Sequence, residues 1–246
     1  ILCDAVGDVN KEIEYFETLK RLFVDGILYI ASTESIGHVT PFIGEIPMVI
    51  INRFFEVNAP CMNIDNVDAA FKAMYHLLSN GHRRVVIMVS DKERQYNRER
   101  MEGVRLALDK FGMSMDDCVI IRGVSSDHDI YANTRKVFSG EGNRPTAIFL
   151  FNDYMAFAAY RGVFESGLRI PEDVSVIGFD DIPFVQYMFP PLTTIRHSIS
   201  DAADEIFDTL LRQMESRVCA PHSYVKYKSQ LIIRESVRDV SDITQA

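Results

Sequence analysis

Short apolar runs and amphipathic segments alternate along this chain. The segments between the runs carry apolar side chains at i, i+3, i+4 and i+7, the spacing of a helix with one buried face. Runs without an alternating polar face are typical of parallel strands that helices cover on both sides. The pattern therefore predicts an α/β fold. Its strands fall at residues 27–31, 46–52, 85–89, 118–122, 147–151 and 174–179, and its helices at 11–23, 67–79, 100–111, 129–138 and 154–165.

The two ends of the chain add three elements. Residues 1–5 are apolar enough to form the end of a buried strand, and residues 203–214 form a clearly amphipathic helix. Residues 224–234 alternate with period two, which predicts a half-exposed edge strand. A charged loop is expected at 90–97 and a turn-rich GEGNRP linker at 140–145.

Composition excludes several classes of protein. The chain has 246 residues, of which 47% are hydrophobic and 25% charged, as in a globular protein of one large or two modest domains. Its net charge of −9 makes this segment alone a poor binder of DNA phosphates. No apolar run reaches the ~20 residues of a membrane span. The chain opens on Ile1 rather than Met, so we expect the native protein to extend upstream.

Chemistry-bearing motifs point away from catalysis and metal binding. The four cysteines form no CxxC pair, which argues against a zinc site and fits a reducing compartment. The six histidines show no HExxH spacing, and no GxSxG, GxGxxG or Walker A motif is present. We therefore expect no metal, no cofactor and no enzymatic activity.

One stretch stands out as a candidate site. The predicted strand at 174–179 runs directly into Asp180 and Asp181, and a Pro190-Pro191 break follows. In open α/β sheets, ligands bind at the carboxyl ends of strands. Carboxylates at that place can accept hydrogen bonds from a polyhydroxylated ligand.

Several phrases together resemble the LacI/GalR family of bacterial transcription regulators. They are IDNVDAAFKAMYHLLSNGHRRV at 64–85, RERMEGVRLAL at 98–108, RPTAIFLFNDYMAFAA at 144–159 and GLRIPEDVSVIGFDDIPFVQYMFPPLTTIRHSISDAADEIFDTLL at 167–211. The likeness spans nearly the whole chain. It implies the fold of periplasmic sugar-binding proteins, with two Rossmann-like subdomains, a ligand cleft between them and three crossover segments.

The resemblance also implies a division of the chain. The N-terminal subdomain would comprise residues 1–90 plus about 196–221, and the C-terminal subdomain about 91–195 plus about 222–236. The family's DNA-binding helix-turn-helix and the first strand and helix of its effector domain are absent from this sequence.

The family's ligand residues map onto Asp180, Arg100, Asn152 and Asp65. Phe179 and Tyr96, with Phe184, could supply aromatic faces to a sugar or purine ring. All of them except Asn152 have a structural alternative: a turn for Asp180, a solvated helix face for Arg100, a helix cap for Asp65 and the core for the aromatics. Asp181 and Asp153 suit capping, and His82 suits a structural role at a helix end.

These features together predict the effector-binding and dimerisation domain of a cytoplasmic repressor. The effector would be a sugar or sugar phosphate, less plausibly a purine, and operator DNA would bind through the absent domain of a homodimer. A stand-alone sugar-binding protein of a transport system is the alternative. We expect Asp180→Ala and Arg100→Ala to abolish effector binding with little loss of thermal stability.

Overall fold

A computed structural model describes residues 1–90, 94–140, 144–197, 199–216 and 218–241. Its helices are α1 (Val9–Arg21), α2 (Asn66–Ser79), α3 (Gln95–Lys110), α4 (Asp127–Phe138), α5 (Tyr154–Glu165) and α6 (Ile199–Ser216). Its strands are β1 (Ile27–Ile30), β2 (Met48–Ile51), β3 (Pro60–Ile64), β4 (Val85–Val89), β5 (Val119–Arg122), β6 (Ala147–Leu150), β7 (Ser175–Ile177), β8 (Thr194–His197), β9 (Ser223–Tyr227) and β10 (Ser229–Ile232).

The chain forms two compact units. The first unit comprises Ile1–Asp65 and Ser198–Tyr227, and the second comprises Asn66–His197 and Lys228–Ala246. The expected boundary at residue 90 therefore lies at Asp65 instead. The reason is that α2 packs along α3 within the second unit, at a close approach that Gly103 permits.

The first unit is a parallel sheet in the order β1-β2-β3-β9. On one side Phe16 of α1 packs against Tyr29, with ring centroids 5.3 Å apart, and against Phe42 at 5.1 Å. Val49 and Met62 form a second cluster with apolar residues of α6. The sheet is thus covered by helices, as its apolar strands predict.

The second unit contains a parallel sheet in the order β5-β4-β6-β7 and an antiparallel pair, β8 with β10. Strands β4 and β6 are buried along their whole length. Helices α4 and α5 pack against each other and contribute to the core beside the sheet. Because β6 and β7 are parallel neighbours in this sheet, their carboxyl ends lie side by side.

The predicted α/β fold, with parallel sheets flanked by helices, is confirmed. Two local predictions were wrong, and two strands were missed. Residues 1–5 form no strand, and the side chains of Ile1 and Leu2 are exposed. The single strand predicted at 224–234 is two strands in two different sheets, and neither β3 nor β8 was predicted.

Parts of the predicted 90–97 loop and GEGNRP linker fall outside the described residues. Among the described residues, no helix is both long enough and apolar enough to cross a membrane.

Candidate ligand-binding site

Three elements of the second unit supply the candidate site. Phe151 and Asn152 follow β6, Phe179 and Asp180 follow β7, and the first turns of α3 carry Tyr96 and Arg100. Parallel strands end at one edge of a sheet, so the residues that follow β6 and β7 are neighbours.

Arg100 is a buried cation held from several directions. Its guanidinium carbon lies 3.6 Å from the centroid of the Phe179 ring and 5.2 Å from that of Tyr96. Nε donates to Asn66 Oδ1 at 3.1 Å, and Nη1 donates to the carbonyl oxygen of Phe151. Burial lowers the pKa of Arg100 to about 10, against the opposing effect of Asp180, so the side chain stays charged at neutral pH. Arg100 is therefore not the solvated helix-face residue considered as its alternative.

Asn66 is a site residue that sequence reasoning missed. Its side chain is buried and accepts from Arg100. Its Nδ2 donates to Glu99 Oε2 at 2.9 Å, and Gln95 donates to the other oxygen of Glu99 at 2.8 Å. Asn66 and Arg100 are 34 residues apart, so no local spacing indicates the pair.

Asp180 sits on an unusual backbone. Its φ of 118° lies in the region that favours glycine, and such conformations persist where surrounding contacts enforce them. The enforcing contacts come from β8: Asp180 N donates to Ile195 O at 2.8 Å, and His197 Nε2 lies 2.8 Å from Asp180 Oδ1. The carboxylate remains 31% exposed. One oxygen is thus engaged, and the group stays accessible.

Asp181 has a different role from its neighbour. Its two oxygens accept from Arg196 Nε and Arg234 Nη2, each at 2.6 Å. Arg234 also donates to the carbonyl oxygen of Leu192. The expectation of a capping role was wrong, because Asp181 is an ion-paired anchor between three segments of the second unit.

The cap of α5 comes from Asn152 and not, as expected, from Asp153. Asn152 Oδ1 accepts from Met155 N at 3.0 Å and so caps α5, whereas Asp153 makes no side-chain cap. Asp153 is fully buried and accepts from Thr194 Oγ1 at 2.7 Å and Ile182 N at 3.0 Å. Burial raises the pKa of Asp153 to about 6, although these two hydrogen bonds oppose the shift.

Phe179 is fully buried, and Arg100 covers one face of its ring. It is therefore a platform for the guanidinium and not an open face for a ligand. Phe184 is 65% exposed, beside the short 3-10 turn Val185–Tyr187. Among the described residues, no group of three or more His, Cys, Asp or Glu side chains could hold a metal ion.

Comparison with known proteins identifies the family. Residues 74–237 match the model of the periplasmic binding protein-like domain. The chain is 30% identical over 244 residues to the HTH-type transcriptional repressor PurR of Haemophilus influenzae (strain PittEE), covering 97% of this chain and 72% of the relative. It is 31% identical over 245 residues to the HTH-type transcriptional regulator DegA of Bacillus subtilis (strain 168), covering 96% and 71%. The chain belongs to the LacI/GalR family.

A solved structure extends the likeness of this LacI/GalR chain to three dimensions. A LacI family transcriptional regulator from Enterococcus faecium, with bound ribose, superposes with a TM-score of 0.82 at 26% identity, covering 93% of this chain and 85% of that one. The chain is thus the effector-binding domain of a LacI-type transcriptional regulator. Both curated relatives are regulators, which favours this function over the transport protein.

Within this LacI/GalR domain, the structure brings together Tyr96, Arg100, Phe179 and Asp180, and Asn152 follows the adjacent strand. Asp65 belongs to the first unit, where its backbone N–H donates to the carbonyl oxygen of Tyr227 at 2.8 Å.

His82 is structural, as its position at the end of α2 predicts. Nδ1 lies 2.8 Å from Thr146 Oγ1 and Nε2 lies 3.2 Å from Arg238 O.

Proposed function

We propose that this domain binds a neutral polyhydroxylated effector, a sugar in the first instance, through Asp180, Arg100 and Asn152. Asp65 is a further candidate ligand residue, and Tyr96 supplies the aromatic contact. The observation that carries the proposal is the pairing of a fixed buried cation, Arg100, with an accessible carboxylate on an enforced backbone, Asp180. A ligand hydroxyl is both donor and acceptor, so it can satisfy the two groups together.

Phe179 gives no support for a purine effector. It is buried with Arg100 against it, so it offers no open face on which a purine ring could stack. The ribose bound by the Enterococcus faecium relative supports a sugar instead. A sugar phosphate would use Arg100 as its partner, at the cost of placing an anion near Asp180.

The proposed mechanism is allosteric. An effector whose affinity differs between two conformations of the domain shifts their populations. In a homodimer, that shift changes the spacing of two DNA-reading segments on a roughly two-fold operator. Coupling of this kind is typically worth ~1–3 kcal/mol. The protein would act in the cytoplasm without a cofactor, and without catalysis.

A thermal-shift screen tests the binding proposal. D-ribose, D-glucose, cellobiose, ribose 5-phosphate and hypoxanthine are each added to the purified domain. A ligand at a hundred times its dissociation constant stabilises the folded state by ~2.7 kcal/mol, which raises Tm by several degrees. We expect at least one sugar to do so.

The variants for this screen are Asp180→Asn and a matched control, Asp127→Asn. Asp127 lies in the first turn of α4 and is exposed. Asp180→Asn should remove the shift, and Asp127→Asn should keep it. Equal shifts in both variants would contradict the role of Asp180, and a response to hypoxanthine alone would contradict the sugar.

A further inference from the structure

The second unit exposes six aromatic side chains that the ligand site does not use. Each is between 44% and 88% exposed, although phenylalanine is among the residues most often buried. Three lie on α5, and three lie in the loop at 182–191, which follows β7 and contains the 3-10 turn Val185–Tyr187. We call this set the aromatic face, and its members are Tyr154, Phe157, Phe164, Phe184, Tyr187 and Phe189.

The helical half of the aromatic face is a single stripe. Phe157 follows Tyr154 by three residues and Phe164 follows Phe157 by seven, and such spacings place side chains on one side of a helix. The opposite side of α5, with Ala159 and Val163, is buried in the core. The core of the second unit therefore leaves this stripe uncovered.

The loop half adjoins the stripe through a hydrogen bond. Tyr160 of α5 donates its hydroxyl to Pro190 O at 3.1 Å, and its ring centroid lies 5.9 Å from that of Phe164. Phe189 directly precedes Pro190 and is the most exposed of the six aromatic side chains. Val185 anchors the loop in the core cluster that contains Tyr160. The two halves therefore lie side by side and form one surface.

The size of the aromatic face matches one side of a stable interface. An aromatic side chain buries ~200 Å² when it is covered, so the exposed fractions of these six correspond to about 750 Å². The largest apolar patch of a typical monomer measures ~300–600 Å², and a standard interface covers ~800 Å² of each partner. The aromatic face is thus larger than the apolar patch that a monomer normally leaves in water.

The distribution of charge indicates that the partner is a second copy of this chain. The chain has a net charge of −9, so two copies repel each other over most of their surfaces. The loop at 182–191 contains no charged residue, and α5 contributes one charge of each sign, Arg161 and Glu165, which form an ion pair. In a two-fold contact the same patch meets itself, so it must not carry an excess of either sign. The aromatic face meets this condition, whereas a partner of opposite charge would select a face with a net charge.

We propose that the aromatic face is the surface through which two copies of this domain associate. The inference rests on the homodimer of the proposed function, and it adds where on the chain the second copy binds. Burial of the six aromatic side chains supplies the driving force, as in the apolar centre of other homodimer interfaces.

Three charge substitutions test the proposed surface. Phe164→Asp and Phe189→Asp each place a carboxylate in one half of the face. Phe207→Asp is the control, because Phe207 is similarly exposed but lies on α6 of the first unit. Sedimentation velocity measures the dissociation constant of the dimer. Each substitution occurs twice in a two-fold dimer, so Phe164→Asp and Phe189→Asp should raise this constant at least about a hundredfold, and Phe207→Asp less than about threefold. Circular dichroism should show all three variants folded, because the replaced side chains are exposed.

A fluorescent reporter tests the same surface without disrupting the dimer. The chain contains no tryptophan, so the indole of Phe189→Trp can be observed alone. As the protein concentration rises through the dissociation constant, we expect its emission to move to shorter wavelength, because the indole leaves water. The emission of Phe207→Trp should not change.

Several results would overturn the inference. They are a wild-type domain that stays monomeric up to about 100 µM, a dimer that survives both Phe164→Asp and Phe189→Asp, and an emission change in Phe207→Trp but not in Phe189→Trp. None of these measurements involves a ligand, so their failure would leave the sugar site standing. Conversely, a domain that dimerises through the aromatic face but responds to no sugar in the thermal-shift screen would contradict the proposed effector and leave this inference intact.

Discussion

Gly103→Ala adds a single methyl group that tests both the packing of α2 on α3 and the geometry of the ligand site. A Cβ at this position would lie 2.2 Å from Val67 O and 2.8 Å from Phe71 N, both backbone atoms of α2. Carbon and oxygen atoms normally stay at least ~3.3 Å apart, so α3 would have to move away from α2 by about 1 Å. Overpacking of this kind costs ~1–3 kcal/mol, and backbone neighbours, which cannot rotate aside, place Gly103→Ala at the upper end. The expected fall in Tm is about 5–10 °C.

The same displacement reaches the ligand site. Arg100 lies less than one turn before Gly103 on α3, and its Nε donates to Asn66 of α2. A shift of α3 by about 1 Å would lengthen this bond and move the guanidinium off the Phe179 ring. We therefore expect Gly103→Ala to weaken effector binding by at least about tenfold, since small misplacements in a preorganised site are costly.

Two other glycines calibrate the result. A Cβ on Gly140 would meet nothing within 4 Å, so Gly140→Ala should leave Tm unchanged. Gly112 is equally open but has a φ of 67°, so Gly112→Ala should cost ~1 kcal/mol for backbone strain alone. Differential scanning fluorimetry ranks the three variants. If Gly103→Ala had the same Tm as Gly140→Ala, the close contact between α2 and α3 would be refuted.

Three further predictions concern buried charges and hydrogen bonds. Arg100→Lys loses the hydrogen bond to Phe151 O and the contact with the Phe179 ring, so it should abolish binding and lower the free energy of unfolding by ~2–3 kcal/mol in urea titrations. The sequence alone suggested little loss of stability for a substitution at Arg100. Unchanged stability would contradict the buried geometry. Burial alone would raise the pKa of Glu12, but hydrogen bonds from Ser32, His38 and Tyr29 lower it below its ordinary value near 4.5. The ionised Glu12 therefore stabilises the fold fully above pH 4.5, and this stabilisation is lost as pH falls through the lowered pKa. Glu12→Gln should cost ~2 kcal/mol at pH 7 and little near pH 3. Burial lowers the pKa of His82 to about 4, so the unfolded chain takes up the proton first and stability falls by ~3 kcal/mol as pH drops from about 6.5 toward 4. The urea midpoint of His82→Gln should depend less on pH over that range than the midpoint of the wild type. An equal dependence on pH in both proteins would contradict the assignment.

The parts of the fold that local pattern determines were predictable. Strands β4 and β6 are apolar throughout and buried on both faces, so their sequences indicate both the strand and its parallel environment. Strand β3 was missed because it starts at Pro60 and contains Asn63, which interrupt the apolar pattern. The strand predicted at 224–234 divides because Tyr227 and Ser229 enter different sheets, a choice made by long-range pairing and not by periodicity.

The candidate site was predictable in its residue types but not in its connections. Asp180 follows a strand, and that position alone suggests a ligand carboxylate. Its enforced backbone depends on Ile195, which lies in another strand, and Arg100 is buried although arginine usually stays exposed. Asn152 caps α5 in place of Asp153 because the carboxylate of Asp153 accepts from the hydroxyl of Thr194, which lies 41 residues later in sequence.

Arg100 both faces the proposed ligand site and holds neighbouring elements of the fold, which limits how this regulator could acquire a new effector. A substitution at Arg100 removes hydrogen bonds that hold α2 and the end of β6, so variants at this position lose stability together with the old specificity. Tyr96 is only partly buried on the same face of α3, and a change there leaves those bonds intact. Divergence of ligand preference in this lineage should therefore accumulate at Tyr96 and its neighbours, around an arginine that stays constant.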